Sequence, residues 1–183
     1  MKNEIINKKL SELEQTSQEY WNIPRESGNH LNLIIKAAGY KNILEIGTSN
    51  GYSGIWLAEA AKVNSGHLTT VEFYEERRKL AKTNFQECGL ENVITVLQGK
   101  ALEVIKTLDC KYDVIFIDAN KGEYIEYFNE LHPKLLKKGL FIADNVISHK
   151  DKLKDFLDIL NNHTEYQISY LPFGGGLLIG LKH

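Results

Sequence analysis

The sequence is poor in several things that would have decided its class at once. It holds only two cysteines, Cys88 and Cys110, far apart in the chain. That excludes a disulfide framework and predicts reduced, buried thiols in a cytosolic protein. No apolar run reaches the roughly 18 residues of a membrane span. The charged stretch Met1 to Leu10 lacks the apolar centre of a signal peptide, so a soluble, cytoplasmic protein with no membrane partner is expected. Neither sign of charge dominates: 22 Lys and Arg against 24 Asp and Glu give a formal net charge of −2. No broad positive field exists to gather a phosphate backbone, although a local basic patch is compatible with this balance. Repeats, linkers and low-complexity segments are missing. No Ser-His-Asp or Cys-His arrangement stands out, and His30, His67, His132 and His163 share no spacing. What remains is a chain of 183 residues, most simply one domain with a real core.

Along that chain, short apolar runs alternate with longer helical patterns. The runs are 43–46, 68–71, 93–97, 114–117, 140–143, 166–171 and 177–181. Helical periodicity is expected over 55–61, over 75–88 up to Gly89, over 124–136 ahead of Lys137-Lys138-Gly139, and over 152–161 with Leu153, Phe156, Leu157 and Leu160 on one face. Several runs are apolar throughout, as strands are when helices cover both faces of a parallel sheet. This predicts a doubly wound α/β fold. Only Pro172-Phe173-Gly174-Gly175-Gly176 separates the last two runs, too short for a parallel crossover, so the final strand should run antiparallel. Residues 1–22 read as a separate N-terminal helix with Ile6, Leu10 and Leu13 as its stripe. That stripe packs on the domain or on a second subunit, or the segment serves as a lid; residues 23–183 form the domain proper.

The run Ile43-Leu44-Glu45-Ile46-Gly47-Thr48-Ser49-Asn50-Gly51-Tyr52-Ser53 is a strand ending in a tight turn into a helix, the usual cradle for a nucleotide-like ligand. The dinucleotide fingerprint needs glycine where Ser49 stands. The spacing Gly47 to Gly51 instead suits a nucleoside with a small zwitterionic tail, which points to S-adenosylmethionine and away from a nicotinamide dehydrogenase. Ligands of open α/β sheets lie at the carboxyl ends of strands. There Glu72, with Phe73 beside it, can accept both ribose hydroxyls, or else is a solvated acid at a helix start. Gly99 and Ala101 leave room for an adenine against the backbone. Glu45, at the end of a buried strand, needs a partner: it bonds inward to hold the loop, or faces the ligand's ammonium group, or both.

Two further strand ends carry Asp118-Ala119-Asn120-Lys121 and Asp144-Asn145. Either acid alone reads as a cap on a helix or turn. In register on adjacent strands, Asp118, Asp144 and Asn145 offer two carboxylates and an amide oxygen, a set suited to Mg²⁺ or a similar hard ion. Lys121 lies on the same rim. A neighbouring cation would lower its proton affinity and let it take a proton from a hydroxyl; otherwise it is a surface lysine. His149 and Lys150 follow the metal strand, as solvated loop positions or as contacts to an acceptor.

At these residues the chain resembles the cation-dependent, S-adenosylmethionine-dependent O-methyltransferases, the family of catechol and caffeoyl-coenzyme A O-methyltransferases and small bacterial relatives. The resemblance runs from about Ile23 to the C-terminus and rests on LEIGTSNGYS, FIDANKGEY, GLFIADNV and LPFGGGLLI. It implies a Rossmann-like class I fold, a seven-stranded, mostly parallel sheet with an antiparallel last strand and helices on both faces. It implies that Glu45, Gly47, Thr48, Gly51 and Ser53 surround the methionine part of the cofactor, with the backbone of Ile23 touching it, that Glu72 with Phe73 binds the ribose, and that Gly99 and Ala101 line the adenine loop. Asp118, Asp144 and Asn145 match the metal ligands, for Mg²⁺ or else Mn²⁺ or Ca²⁺. Lys121 matches the base, with Asp118 also at the cofactor. Departures are Asn120 and Gly175 where relatives often carry Asp, Lys100 where they carry Asp or Pro, and a short segment 146–153 where plant and animal relatives carry an insertion that shapes the acceptor pocket. The implied acceptor is a small molecule with a hydroxyl, catechol-like or a vicinal diol; a hydroxylated uridine of transfer RNA is the alternative. The N-P-P-Y-like tetrad of base amino-methylating enzymes is missing. A homodimer is common among relatives. A cofactor-binding protein without catalysis is a further rival, at odds with keeping the whole metal set and Lys121.

Overall fold

The strands are β1 (Asn42–Ile46), β2 (His67–Glu72), β3 (Ile94–Gln98), β4 (Tyr112–Ile117), β5 (Leu135–Ala143), β6 (Tyr166–Leu171) and β7 (Leu177–Lys182). In the computed structural model, which describes residues 2–183, they form one sheet in the order β3-β2-β1-β4-β5-β7-β6. β1 pairs in parallel with β2 and β4, and β4 with β5, whereas β7 is antiparallel to both β5 and β6. Each parallel step needs a crossover. These are supplied by α4 (Tyr52–Val63), α5 (Glu75–Glu87), α6 (Ala101–Thr107), α7 (Tyr124–Leu131) and α8 (Lys154–Asn161), after α1 (Lys2–Glu14), α2 (Ser17–Tyr20) and α3 (Arg25–Ala38). The expected architecture, antiparallel last strand included, is the observed one.

Side chains alternate across the sheet, and so the core has two layers. Ile43, Val114, Phe116 and Ile142 pack with Leu31, Ile35, Ile55 and Phe85 on one face. Leu44, Ile46, Ile115, Ile117 and Phe141 pack with Ile105, Phe128 and Phe156 on the other. The strand order reverses between β1 and its neighbours β2 and β4, which opens a crevice at the carboxyl ends. Among the described residues no helix is long and apolar enough to cross a membrane.

Several boundaries depart from expectation. The helix expected over 124–136 stops at Leu131. His132 precedes Pro133, which disfavours continued helix, and β5 starts at Leu135, so Lys137-Lys138-Gly139 lies inside the strand. The pairing jumps there, from Tyr112 opposite Leu135 to Val114 opposite Leu140, with Lys138 at φ 64°. The N-terminal stretch is two helices broken at Gln15-Thr16, and α3 had no counterpart in the sequence reading; Met1 lies outside the described residues. Leu10 and Leu13 are buried in the same core layer as Leu31 and Ile55, and Glu14 accepts from Tyr52 Oη at 2.6 Å and pairs with Arg25 at 2.8 Å. The apolar stripe of α1 is therefore spent on the chain's own domain. Both thiols are free; Cys88 is buried, but Cys110 is exposed, in the loop before β4. Burial pushes the Cys88 thiol up to about 11.

Candidate functional site

The crevice holds a cavity of about 850 Å³. Its floor is the turn after β1. Gly47 sits at φ 105°, and a Cβ there would lie 2.3 Å from the Asp118 carbonyl oxygen, so only glycine lets strands β1 and β4 end side by side. The Gly47 and Thr48 N–H groups both donate to the Val71 carbonyl, which ties the turn to β2. Ser49 follows in the left-handed region at φ 49°. Its N–H donates to Glu72 Oε2 at 2.8 Å, and the Tyr74 N–H donates to Glu72 Oε1 at 2.9 Å. Each carboxylate oxygen of Glu72 thus keeps a lone pair, and Glu72 borders the cavity. That is the geometry for accepting two hydroxyls at once.

Glu45 sits differently. Strand alternation turns it into the α4 face, where it is fully buried and does not border the cavity. Ser53 Oγ donates to its Oε1 and Thr70 Oγ1 to its Oε2, both at 2.6 Å. Thr48 Oγ1 lies 2.6 Å from Thr70 Oγ1. With Glu45 ionised, the Thr70 proton is committed to it and Thr48 is the donor in that contact; with Glu45 protonated, the chain of donors can run the other way. Burial pushes the Glu45 carboxyl up to about 7, the two hydroxyls opposing and the charges of Asp118 and Glu72 adding. Of the two roles open for Glu45, the structure has the inward one, bracing the loop from behind. Gly51 also lies off the cavity; at φ 88° it lets Phe85 pack within 2.8 Å of where a Cβ would be.

At the opposite end, the pairing of Ile117 with Ala143 makes Asp118 and Asp144 neighbours. Asp118 and Asn145 border the cavity, while Asp144 is buried behind them. Lys121 Nζ donates to Asp118 Oδ1 at 2.6 Å and lies 5.4 Å from the Tyr124 ring centroid. Asp144 Oδ1 is buried with no hydrogen-bond partner. Burial, then the Asp118 charge, push the Asp144 carboxyl up to about 7, against the Asn145 N–H and Lys121. No cluster of three His, Cys, Asp or Glu that could hold a metal ion occurs among the described residues. The donor set here is two carboxylates and the Asn145 amide. It fits a hard divalent cation, because an orphaned buried carboxylate oxygen beside a second acid is what such an ion would satisfy.

Ile23, Gly47, Thr48, Ser53, Glu72, Phe73, Gly99, Ala101, Asp118, Lys121, Asn145 and His149 all border the one cavity; Glu45, Gly51 and Asp144 stand directly behind it, and Lys150 does not border it. The sequence reading missed the strap Tyr20-Trp21-Asn22 and the side chains of Tyr74, Arg77, Glu123 and Tyr127, which also border it. Ser49 Oγ donates to the Tyr20 carbonyl at 2.9 Å, and the Arg77 guanidinium lies 4.9 Å from the Trp21 ring centroid and 5.4 Å from that of Tyr74. Tyr127 Oη donates to Glu123 Oε2 at 2.5 Å. Arg77 lies in a charged helical run that reads as a solvated face. The one available signal for the strap was a tryptophan three residues before Pro24.

With this geometry in hand, the comparisons with known proteins become specific. The O-methyltransferase family profile matches residues 2–177. This chain belongs to the O-methyltransferase family. A catechol O-methyltransferase of Niastella koreensis is 39% identical over 125 residues, 66% of this chain and 56% of that protein. Caffeoyl-CoA O-methyltransferase 2 of Populus trichocarpa is 35% identical over 149 residues, 76% of this chain and 59% of the other. The matches thus span less than two thirds of these curated relatives. Among solved structures, the O-methyltransferase TomG of Streptomyces achromogenes, in complex with S-adenosylmethionine, superposes with a TM-score of 0.86 at 26% identity, covering 95% of this chain and 89% of that one. This chain of the O-methyltransferase family therefore shares its fold, over nearly its full length, with a relative whose structure holds S-adenosylmethionine.

Proposed function

We propose that this chain moves a methyl group from S-adenosylmethionine to a hydroxyl of a small molecule, catechol-like or a vicinal diol, with a divalent cation at Asp118, Asp144 and Asn145. The observation that carries the reading is one cavity with a two-pronged ribose acceptor, Glu72, at one end and a paired-carboxylate rim with Lys121 at the other. The cofactor-bound relative and the catechol and caffeoyl-CoA enzymes among the matches support it.

Glu72 would take the ribose hydroxyls, and Gly99 and Ala101 would face the adenine. Thr48 and Ser53 would line the amino-acid tail, their hydroxyls braced by Thr70 and Glu45. When bound, the cation, with Mg²⁺ as the first choice, supplies acidification and fixed placement of the acceptor hydroxyl. Lys121 pairs with Asp118 as an ammonium; with the cation on Asp118 it would first release its own proton to solvent and then accept the one the hydroxyl gives up. The oxygen then attacks the sulfonium methyl in line; the new O–C bond forms as the S–C bond breaks, with S-adenosylhomocysteine leaving. Alignment of two reactants in one cavity is worth up to about 7–11 kcal/mol, so much of the rate rests on the rigidity of the β1 and β4 ends.

The test is methyl transfer from labelled S-adenosylmethionine to a panel of catechols and vicinal diols, with bulk transfer RNA beside it, before and after EDTA and with Mg²⁺, Mn²⁺ or Ca²⁺ added back. Labelled small-molecule ethers that vanish with EDTA and return with the ion are expected. Turnover indifferent to EDTA refutes the cation. Label entering only the RNA refutes the small acceptor.

A further inference from the structure

The tip of the β6–β7 hairpin carries three successive glycines, and each is pressed against a different neighbour. A Cβ at Gly174 would lie 2.4 Å from Pro24 Cγ, one at Gly175 2.5 Å from Asn145 Nδ2 and 2.7 Å from Ser148 Oγ, and one at Gly176 2.3 Å from Ile147 Cγ1. The backbone of the tip grips the same loop. The Ile147 and Ser148 N–H groups both donate to the Gly175 carbonyl at 2.9 Å, and the Val146 N–H donates to the Gly176 carbonyl at 3.0 Å. Phe173 rests on His30 of α3, with ring centroids 5.6 Å apart, so the tip is anchored to a helix. Asn145 itself stands at φ 63°, a left-handed conformation that asparagine tolerates but does not prefer. Three loop hydrogen bonds just beyond it, all to the tip, hold it there.

We propose that this glycine tip is a positioning element for the cation site: Gly175 sets where the Asn145 amide stands, and Gly174 seats the Ile23-Pro24 end of the strap that borders the cofactor side of the cavity. The proposal rests on the cation reading above. The atom that a Cβ at position 175 would strike first is the end of the Asn145 side chain. A flexible surface amide would swing away at little cost, whereas a ligand amide that swings away loses its ion. An aspartate, which the family resemblance would put at 175, has no room in this chain.

The test is binding in the full chain without turnover. Mn²⁺ is titrated and free ion is read by electron paramagnetic resonance; S-adenosylhomocysteine is titrated by calorimetry. Gly175→Ala is expected to weaken Mn²⁺ about 10–100-fold, the usual effect of disturbing an outer partner of a metal ligand, and to leave S-adenosylhomocysteine affinity unchanged. Gly174→Ala is expected to do the reverse. If Gly175→Ala cannot be purified, Gly175→Ala with Ser148→Ala removes one of the two obstructed atoms and keeps the push on Asn145, with Ser148→Ala alone as its baseline. Unchanged Mn²⁺ affinity in the position-175 variant, in a series where Asn145→Ala does weaken it, overturns the proposal. Equal loss of both affinities in both glycine variants also overturns it, as general loosening. An Asn145→Ala chain that binds Mn²⁺ normally overturns the cation reading instead.

Discussion

Replacing Glu45 with glutamine tests how the cofactor loop is braced. The Glu45 carboxyl is fully buried and raised from an ordinary 4.5 to about 7. Between those two values the folded chain holds a proton that the unfolded chain has released. With fewer protons on the unfolded chain, stability falls as pH rises, by about 1.4 kcal/mol for each pH unit crossed. The contribution is fully present below pH 4.5 and lost by about pH 7, a total of about 3 kcal/mol. Glutamine removes this dependence and still fits. Its amide can donate to Thr70 if Thr70 turns its own proton toward Thr48, and the 2.6 Å Thr48–Thr70 contact works in either direction. Ser53 keeps an acceptor in the amide oxygen. Glu45→Gln should therefore exceed the parent by less than about 1 kcal/mol at pH 5 and by about 3 kcal/mol at pH 8, the latter roughly 6–12 °C in midpoint for a chain of this size. Urea unfolding of both chains from pH 5 to 8, in EDTA so that no cation differs between them, is the measurement. Parallel stability curves would refute the argument, because they would mean that Glu45 is ionised in the folded chain throughout.

Lys121→Ala should lower turnover by about 10²–10⁴-fold, the usual range for a proton-transfer group, while calorimetry with S-adenosylhomocysteine stays as in the parent; a change confined to cofactor affinity would remove Lys121 from the chemistry. Trp21 is 71% exposed, and its stacked Arg77 contact is worth about 0.5–1 kcal/mol. Trp21→Ala should accordingly weaken S-adenosylhomocysteine by about two- to fivefold, seen as faster release in stopped-flow, and an unaltered release rate would leave the strap without a role in holding the cofactor. Gly47→Ala puts a Cβ 2.3 Å from the Asp118 carbonyl at φ 105° and should cost at least about 3 kcal/mol of stability in denaturant unfolding; a loss below about 1 kcal/mol would mean that the two strand ends separate easily.

The doubly wound sheet was legible because short apolar runs alternate with helical patterns, and several central strands, covered on both faces, are apolar throughout. The antiparallel finish was legible because no crossover fits between Leu171 and Leu177. Asp118, Asp144 and Asn145 could be paired in advance because adjacent parallel strands bring their ends together. The orientation of Glu45 was left open by the sequence: an acid one residue before the end of a strand points to the cavity or the helix layer according to the strand's alternation, and that is fixed by which residues pack behind it. The strap 20–22 was hidden because its contacts, Ser49 and Arg77, are remote in sequence and its own residues carry no periodicity. Helix α3 was hidden because Ser27, Gly28 and Asn32 are buried polar or small positions that blur its apolar stripe. The end of α7 was misread because Leu135 and Leu136 continue a helical apolar pattern across Pro133.

The place of β7 between β5 and β6 has a consequence for how the molecule assembles. β6 pairs with β7 alone, so without the last strand β5 is left as an open edge of the sheet and β6 has no partner. Such open edges are the usual entry point for a foreign strand. Undocking of Leu177–Lys182 would therefore bare the β5 edge and free β6 in one step. The same strand carries in the glycines that press on Asn145, so the loop after β5 takes its final shape only once the sheet is closed.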